Sequence, residues 1–116
     1  MITVVKMNAA RTNFTRYIGR KFLDMQESCF QNPFHVGKDG DRQEVLLKFL
    51  VYWYAPEQKW LRDHALIFFQ ANEVLGCWCK PLECHGDIEA GYVNWRRGVG
   101  QEEVVYSRGY KGLFND

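Results

Sequence analysis

Residues 73–79 read Glu-Val-Leu-Gly-Cys-Trp-Cys, a short and almost wholly apolar run that lies between Asn72 and Pro81. Such a run is typical of a strand that is buried on both faces of a parallel sheet. The loop that follows ends in Cys84-His85-Gly86-Asp87, just before a helical pattern. Because α/β sheets bind ligands where their strands end, the sequence predicts a functional site at the carboxyl end of this strand.

The segments that precede this strand predict two more strands and a helix. Residues 2–7 and 16–20 are apolar and β-branched enough for short strands, and residues 21–40 predict an ordered loop. A helix is expected to begin at Asp41, with Glu44 three residues later as in a capping box. Apolar residues recur on one face of that helix, at Val45, Leu46, Phe49, Leu50 and Trp53.

Two further helices are expected. Pro56 separates the first helix from the second, because a proline is well tolerated in the first turn of a helix. Residues 88–95 predict a third helix, which the basic residues and the glycine at positions 96–98 close. The apolar stripe of the second helix is expected at Trp60, Leu61, Ala65, Leu66, Phe68 and Phe69.

The pattern as a whole predicts a single α/β domain over residues 1–108, in which helices flank a short, mostly parallel or mixed sheet. Residues 103–106 predict a last strand. Residues 109–116 are expected to form a loosely ordered tail.

Composition limits the classes of partner. The chain has 116 residues, which is long enough to fold without a disulfide or a metal. Its 15 basic and 14 acidic residues leave a net charge of +1, so no overall field attracts nucleic acid or an anionic membrane, and neither is expected as a partner. The start of the chain does not resemble a secretory signal, so we expect a cytoplasmic protein with reduced thiols.

The Cys/His cluster supports a first hypothesis, a reactive or anion-binding site. Cys84, His85, Gly86 and Asp87 are expected at a helix N-terminus, where backbone amides and the helix dipole favour a thiolate or a bound anion. Cys84 is then a candidate nucleophile, His85 a base or donor, and Asp87 either a helix cap or a general acid/base. Arg20 is expected to supply a contact to a phosphate or a carboxylate.

A second hypothesis is a zinc site, since thiolates and imidazole are preferred zinc ligands. The candidate ligands are Cys77, Cys79, Cys84 and His85. Their C-x-C-x4-C-H spacing is tighter than that of ordinary zinc knuckles. A third hypothesis is purely structural, because buried cysteines often only fill a core. The residues by themselves leave all three open.

Several motifs resemble DUF4326, a domain of unknown function of phage and bacterial proteins. The motifs are Tyr17-Ile18-Gly19-Arg20, Asn32-Pro33-Phe34, residues 40–45, and the Cys77 to Asp87 segment with its Cys-Trp-Cys and Cys-His-Gly-Asp elements. The resemblance implies a small α/β domain in a bacterial cell or a phage-infected host, and it implies no established activity. By motif match the candidate site residues are Arg20, Asn32, Cys77, Cys79, Cys84, His85 and Asp87.

The leading functional hypothesis is a small-ligand-binding protein, with a phosphate-bearing or nucleotide-like ligand at the Cys/His loop and the helix N-terminus. Whether the protein is an enzyme stays open. If it is one, the expected catalytic residues are Cys84, His85 and Asp87, with Arg20, Asn32 and Gly86 as ligand-binding residues. The alternative is a zinc-stabilised or structural module that binds a host or cellular protein through exposed aromatic side chains.

Overall fold

The computed structural model of the protein describes residues 1–80 and 82–100. The strand predicted at 103–106 and the tail predicted at 109–116 lie outside the described residues. In chain order, the elements are β1 (Thr3–Lys6), β2 (Arg16–Tyr17), α1 (Arg42–Tyr54), a 3-10 turn (Pro56–Gln58), α2 (Lys59–Phe68), β3 (Val74–Cys77) and α3 (His85–Arg96).

The sheet is parallel, with β3 in the centre and β1 and β2 on either side of it. Val4 lies opposite Leu75 in one ladder, and Tyr17 lies opposite Gly76 in the other. Because both pairings are parallel, the carboxyl ends of all the strands in this sheet meet at one edge. The expected small α/β domain is confirmed.

β3 is shorter than predicted. It ends at Cys77, and Trp78 and Cys79 lie beyond it. The ladder to β1 closes with the hydrogen bond from the Met7 amide to the Cys77 carbonyl, 2.9 Å, after which Trp78 turns outward with 43% of its surface exposed. The prediction of a strand reaching Cys79 was therefore wrong, because an apolar run does not distinguish a buried strand from the wall of a cavity.

α1 has the features expected of it. Asp41 is the N-cap, its carboxylate accepts from the Glu44 amide at 2.9 Å, and the Glu44 carboxylate accepts from the Asp41 amide at 3.2 Å. The predicted capping box is thus confirmed. The residues that α1 buries are the five predicted from their spacing: Val45, Leu46, Phe49, Leu50 and Trp53.

α2 is confirmed as a helix after Pro56, but its predicted buried stripe is partly wrong. Leu61 and Ala65 are fully buried, whereas Trp60 is 56% exposed and Phe68 is 48% exposed. α2 packs against α1 and α3 along one narrow face, so apolar residues to either side of that face remain at the surface.

α3 begins three residues earlier than predicted and packs against β1 and β3, while α1 and α2 pack against α3. Its N-cap is Cys84, whose sulfur accepts from the Gly86 amide at 3.2 Å. Asp87 is the third helical residue and not the N-cap that the sequence suggested; its carboxylate accepts from the Cys84 amide at 3.1 Å and completes a second capping box.

None of the helices formed by residues 1–80 and 82–100 has the length and apolar character that a membrane crossing requires.

Candidate functional site

A cavity of about 390 Å³ opens at the carboxyl edge of the sheet. Tyr17 and Cys77, the last residues of β2 and β3, form part of its wall. The first turn of α1 supplies Arg42 and Val45, and the first residue of α3 is His85. A cavity in the volume range of small-molecule sites therefore lies where the sequence predicts a functional site.

Cationic side chains dominate the charge of this cavity. Among the described lining residues, Arg20, Lys21 and Arg42 are basic and Glu83 is acidic. One guanidinium nitrogen of Arg20 donates to the backbone carbonyls of Asn32 and Phe34, at 3.0 and 2.7 Å. These bonds hold the loop after β2 against the segment that carries Asn32, and they fix the position of the Arg20 charge.

Aromatic side chains form the rim. Trp78 and Phe22 meet edge to face, with ring centroids 4.9 Å apart, and both are partly exposed. The Trp78 indole donates to the Tyr17 hydroxyl at 3.2 Å, and that hydroxyl donates to the Arg20 carbonyl at 2.5 Å. This chain of hydrogen bonds ties the exposed tryptophan to the loop that carries Arg20. Rings and positive charges therefore lie on the same wall.

Three thiols, those of Cys77, Cys79 and Cys84, line the cavity, and Cys84 interacts with each of the other two. Cys77 and Cys84 are buried, whereas Cys79 is half-buried. The structure thus brings together all the cysteines of the predicted cluster. Cys29 is exposed and lies apart from the cavity.

The negative charge of this cluster belongs on Cys79. The Cys84 thiol shares its proton with Cys77 and Cys79, which raises the pKa of Cys84 and lowers that of the other two. For Cys77 the pKa falls to about 7, and for Cys79 it falls to about 6 because Arg42 also bonds its sulfur and Arg20 lies nearby. Cys79 is then largely a thiolate at neutral pH, and Cys84 is its hydrogen-bond donor.

His85 lies at the base of the cavity as a neutral imidazole. Its Nε2 is 2.9 Å from the Ile18 carbonyl oxygen, which can only accept, so Nε2 carries the proton. Its Nδ1 faces the Cys84 sulfur at 3.9 Å. Burial lowers the pKa of His85 to about 4, so the ring is uncharged at neutral pH.

Asp87 and Gly86 were both predicted to serve the site, and the structure places both outside the described lining of the cavity. The Asp87 carboxylate is occupied by the Lys80 ammonium at 2.6 Å and by the Cys84 amide. The Gly86 amide bonds the Cys84 sulfur, and a Cβ at Gly86 would lie 2.5 Å from Ile18. Both residues therefore contribute to the start of α3.

The described residues contain no group of three or more His, Cys, Asp or Glu side chains arranged to hold a metal ion. His85 directs its Nε2 to a backbone carbonyl, and Cys84 acts as a helix cap. The geometry therefore lends no support to the zinc set of Cys77, Cys79, Cys84 and His85.

Some lining residues escaped the sequence-based prediction. Lys21, Phe22, Phe34, Arg42 and Trp78 all line the cavity, and Arg42 contacts Cys79. Topology was the available signal for Arg42: a helix that follows a parallel strand begins near the carboxyl edge, so the first turn of α1 was bound to lie near the site. No local pattern marked Phe22, and Phe34 belongs to the Asn32-Pro33-Phe34 motif, of which only Asn32 was assigned to the site.

No curated protein and no solved structure is significantly similar to the chain. The model of a family described as a domain of unknown function, DUF4326, matches residues 3–95, which is well over half of the chain. The predicted family is thus confirmed, and the protein belongs to the DUF4326 family.

Proposed function

We propose that the protein binds a phosphate-bearing small molecule of the nucleotide type in the cavity at the carboxyl edge of the sheet. The observation that carries the proposal is the pairing of charge and ring surface in one cavity: Arg20, Lys21 and Arg42 lie beside the exposed rings of Phe22 and Trp78.

The arginines explain the preference for an anion. Guanidinium groups bind phosphate oxygens through several parallel hydrogen bonds, and Arg20 is already held in place by the carbonyls of Asn32 and Phe34. Arg42 is half-buried in the first turn of α1, where partial removal from water strengthens its attraction for a negative charge. A dianionic phosphate would therefore find two arginines without large rearrangement.

The aromatic rim of the cavity explains why a ligand that contains a ring should be preferred. Trp78 and Phe22 leave 43% and 44% of their surfaces exposed and both line the cavity, so each offers a ring face to a ligand there. A purine or pyrimidine base stacked on such a side chain gains about 1–3 kcal/mol. A nucleotide offers both the phosphate and the base.

Isothermal titration calorimetry with three probes tests the proposal. ADP carries phosphates and a ring, inorganic pyrophosphate carries phosphates alone, and adenosine carries the ring alone. We expect ADP to bind more tightly than pyrophosphate, and adenosine to bind weakest. Arg42→Gln should weaken ADP binding about tenfold or more, since a hydrogen bond to a charged group contributes about 1.5–3 kcal/mol.

Lys59→Gln is the matched control, because Lys59 is an exposed cation whose side chain pairs with Asp63 away from the cavity. ADP affinity should be unchanged in this variant. If none of the three probes bound at millimolar concentration, or if Arg42→Gln and Lys59→Gln bound ADP equally well, the proposal of a nucleotide-type ligand in this cavity would be contradicted.

A further inference from the structure

We propose that Cys79 is the nucleophile of the cavity, that Cys84 is a positioning residue which donates a hydrogen bond to it, and that its target is a carbon bearing an anionic leaving group. This inference rests on the proposed function, because a bound phosphate is the leaving group that the cavity would hold.

The arrangement around Cys79 favours attack from its sulfur. It is the half-buried thiol of the cluster, so an electrophile can reach it from the cavity, whereas Cys77 and Cys84 are buried. Arg42 bonds its sulfur and Arg20 lies close. The Cys84 sulfur is itself held by the Gly86 amide at 3.2 Å, so the donor that supports Cys79 is fixed by the start of α3.

The reaction step balances without an oxidant or a transferred proton. The Cys79 thiolate forms a sulfur–carbon bond while the bond from that carbon to the leaving group breaks. The electron pair departs with the leaving group, which Arg20 and Arg42 are placed to receive as an anion. Cys79 becomes a neutral thioether or thioester, and Cys84 keeps its proton.

Cys29 provides an internal reference. Burial raises the pKa of the Cys29 thiol above its ordinary value of 9.0, although the residue is exposed, while the pKa of Cys79 is about 6. At pH 6.5 about three quarters of Cys79 and less than about 0.5% of Cys29 would be thiolate. A more acidic thiol is intrinsically less nucleophilic, which offsets part of this difference in thiolate fraction. The alkylation rate of Cys79 should therefore exceed that of Cys29 by about tenfold.

The test is alkylation of the folded protein at pH 6.5, with rates for each cysteine read by peptide mass spectrometry. Neutral iodoacetamide should modify Cys79 about tenfold faster than Cys29. With anionic iodoacetate the ratio of the two rates should be about fivefold larger still, because Arg20, Lys21 and Arg42 line the Cys79 site, whereas Cys29 has the cation of Arg16 and the carboxyl group of Glu89 near it. Arg42→Gln should remove most of the fivefold effect, and Lys59→Gln should leave it unchanged.

Variants at Cys84 test its role as donor. Cys84→Ser keeps a donor and Cys84→Ala removes it, so the pH midpoint of Cys79 alkylation should rise further in the alanine variant. Circular dichroism checks that both variants are folded. If they are not, the comparison of Cys79 with Cys29 in the wild-type protein still tests the proposal. Faster modification of Cys29, Cys77 or Cys84 than of Cys79 would overturn the proposal. ADP binding measured by calorimetry would then still decide the proposed function separately.

Discussion

At the scale of single residues, two buried glutamates have opposite surroundings. Glu73 accepts hydrogen bonds from the Thr15 hydroxyl, from Arg16 Nε at 3.2 Å and from the Gln70 amide at 3.0 Å. Burial opposes ionisation of Glu73, but these bonds outweigh it and lower the pKa. Glu89 on α3 is fully buried, and within the described part of the chain neither of its carboxylate oxygens has a hydrogen-bond partner. Burial therefore raises the pKa of Glu89 well above 4.5.

Glu89→Gln should stabilise the protein by an amount that grows with pH. The carboxyl binds a proton more tightly in the folded chain than in the unfolded chain, so the free energy of unfolding of the wild type falls as pH rises above about 4.5. Glutamine has no proton to lose. The difference between variant and wild type should thus increase by up to about 1.4 kcal/mol per pH unit until Glu89 ionises in the folded state.

Urea unfolding of both proteins at pH 5, 6 and 7 measures this difference, and taking the difference cancels the contributions of His85 and the thiols. Glu57→Gln removes an exposed carboxyl and is the matched control, with a change expected within about 0.5 kcal/mol. A stabilisation by Glu89→Gln that stayed constant over this range would mean that Glu89 ionises normally in the folded protein.

At the scale of elements, helix starts were predictable where a conventional cap marks them. Asp41 and Glu44 form the capping box that the sequence indicates. The start of α3 was misplaced, because Cys84 replaces the usual oxygen-bearing cap with a sulfur, and Asp87 had seemed the better N-cap. The end of β3 was misplaced too, since Trp78 is apolar yet serves the cavity rim.

Asp41→Ala should lower the free energy of unfolding by about 1 kcal/mol, because the Glu44 amide loses its acceptor and the Asp41 amide loses the geometry that pairs it with Glu44. Thermal or urea unfolding measures the loss. Asp63→Ala, which removes an exposed i, i+4 ion pair with Lys59, should cost less than about 0.5 kcal/mol. Equal losses in the two variants would show that the capping box adds nothing beyond an exposed charge.

At the scale of the whole molecule, Asn94 joins the two ends of the described domain. Its side chain accepts from the Ile2 amide at 2.8 Å and donates to the Ile2 carbonyl at 3.0 Å, in a buried position. These bonds connect the start of the chain, just before β1, to the last turns of α3. Such a long-range contact has no local signature in the sequence.

Asn94→Ala should destabilise the fold by about 2–4 kcal/mol, because it leaves a buried amide and a buried carbonyl of Ile2 without partners. Chemical unfolding provides the measurement. Asn72→Ala is the control, since Asn72 is an exposed side chain that contacts only the terminal ammonium of Met1 among the hydrogen bonds of the described residues. A loss below 1 kcal/mol for Asn94→Ala would contradict the connecting role.

The candidate site was only partly predictable, because contacts between distant parts of the chain have no local signature in the sequence. Cys84 and His85 are neighbours in the sequence, so their motif could be recognised from the sequence alone. Arg42 reaches Cys79 only because the parallel topology brings the first turn of α1 to the carboxyl edge. Phe22 meets Trp78 through a loop that has no periodic pattern. Local motifs thus predicted the position of the cavity, and tertiary structure determined which charged and aromatic side chains line it.

A backbone amide NMR titration with ADP tests the central claim, a phosphate-binding cavity at the carboxyl edge, most directly. The amides of Gly19, Cys79 and His85 belong to lining residues and should shift progressively, whereas those of Ala65 and Gly98, which lie elsewhere, should not. Shifts confined to residues outside the cavity, or none at millimolar ADP, would contradict the account.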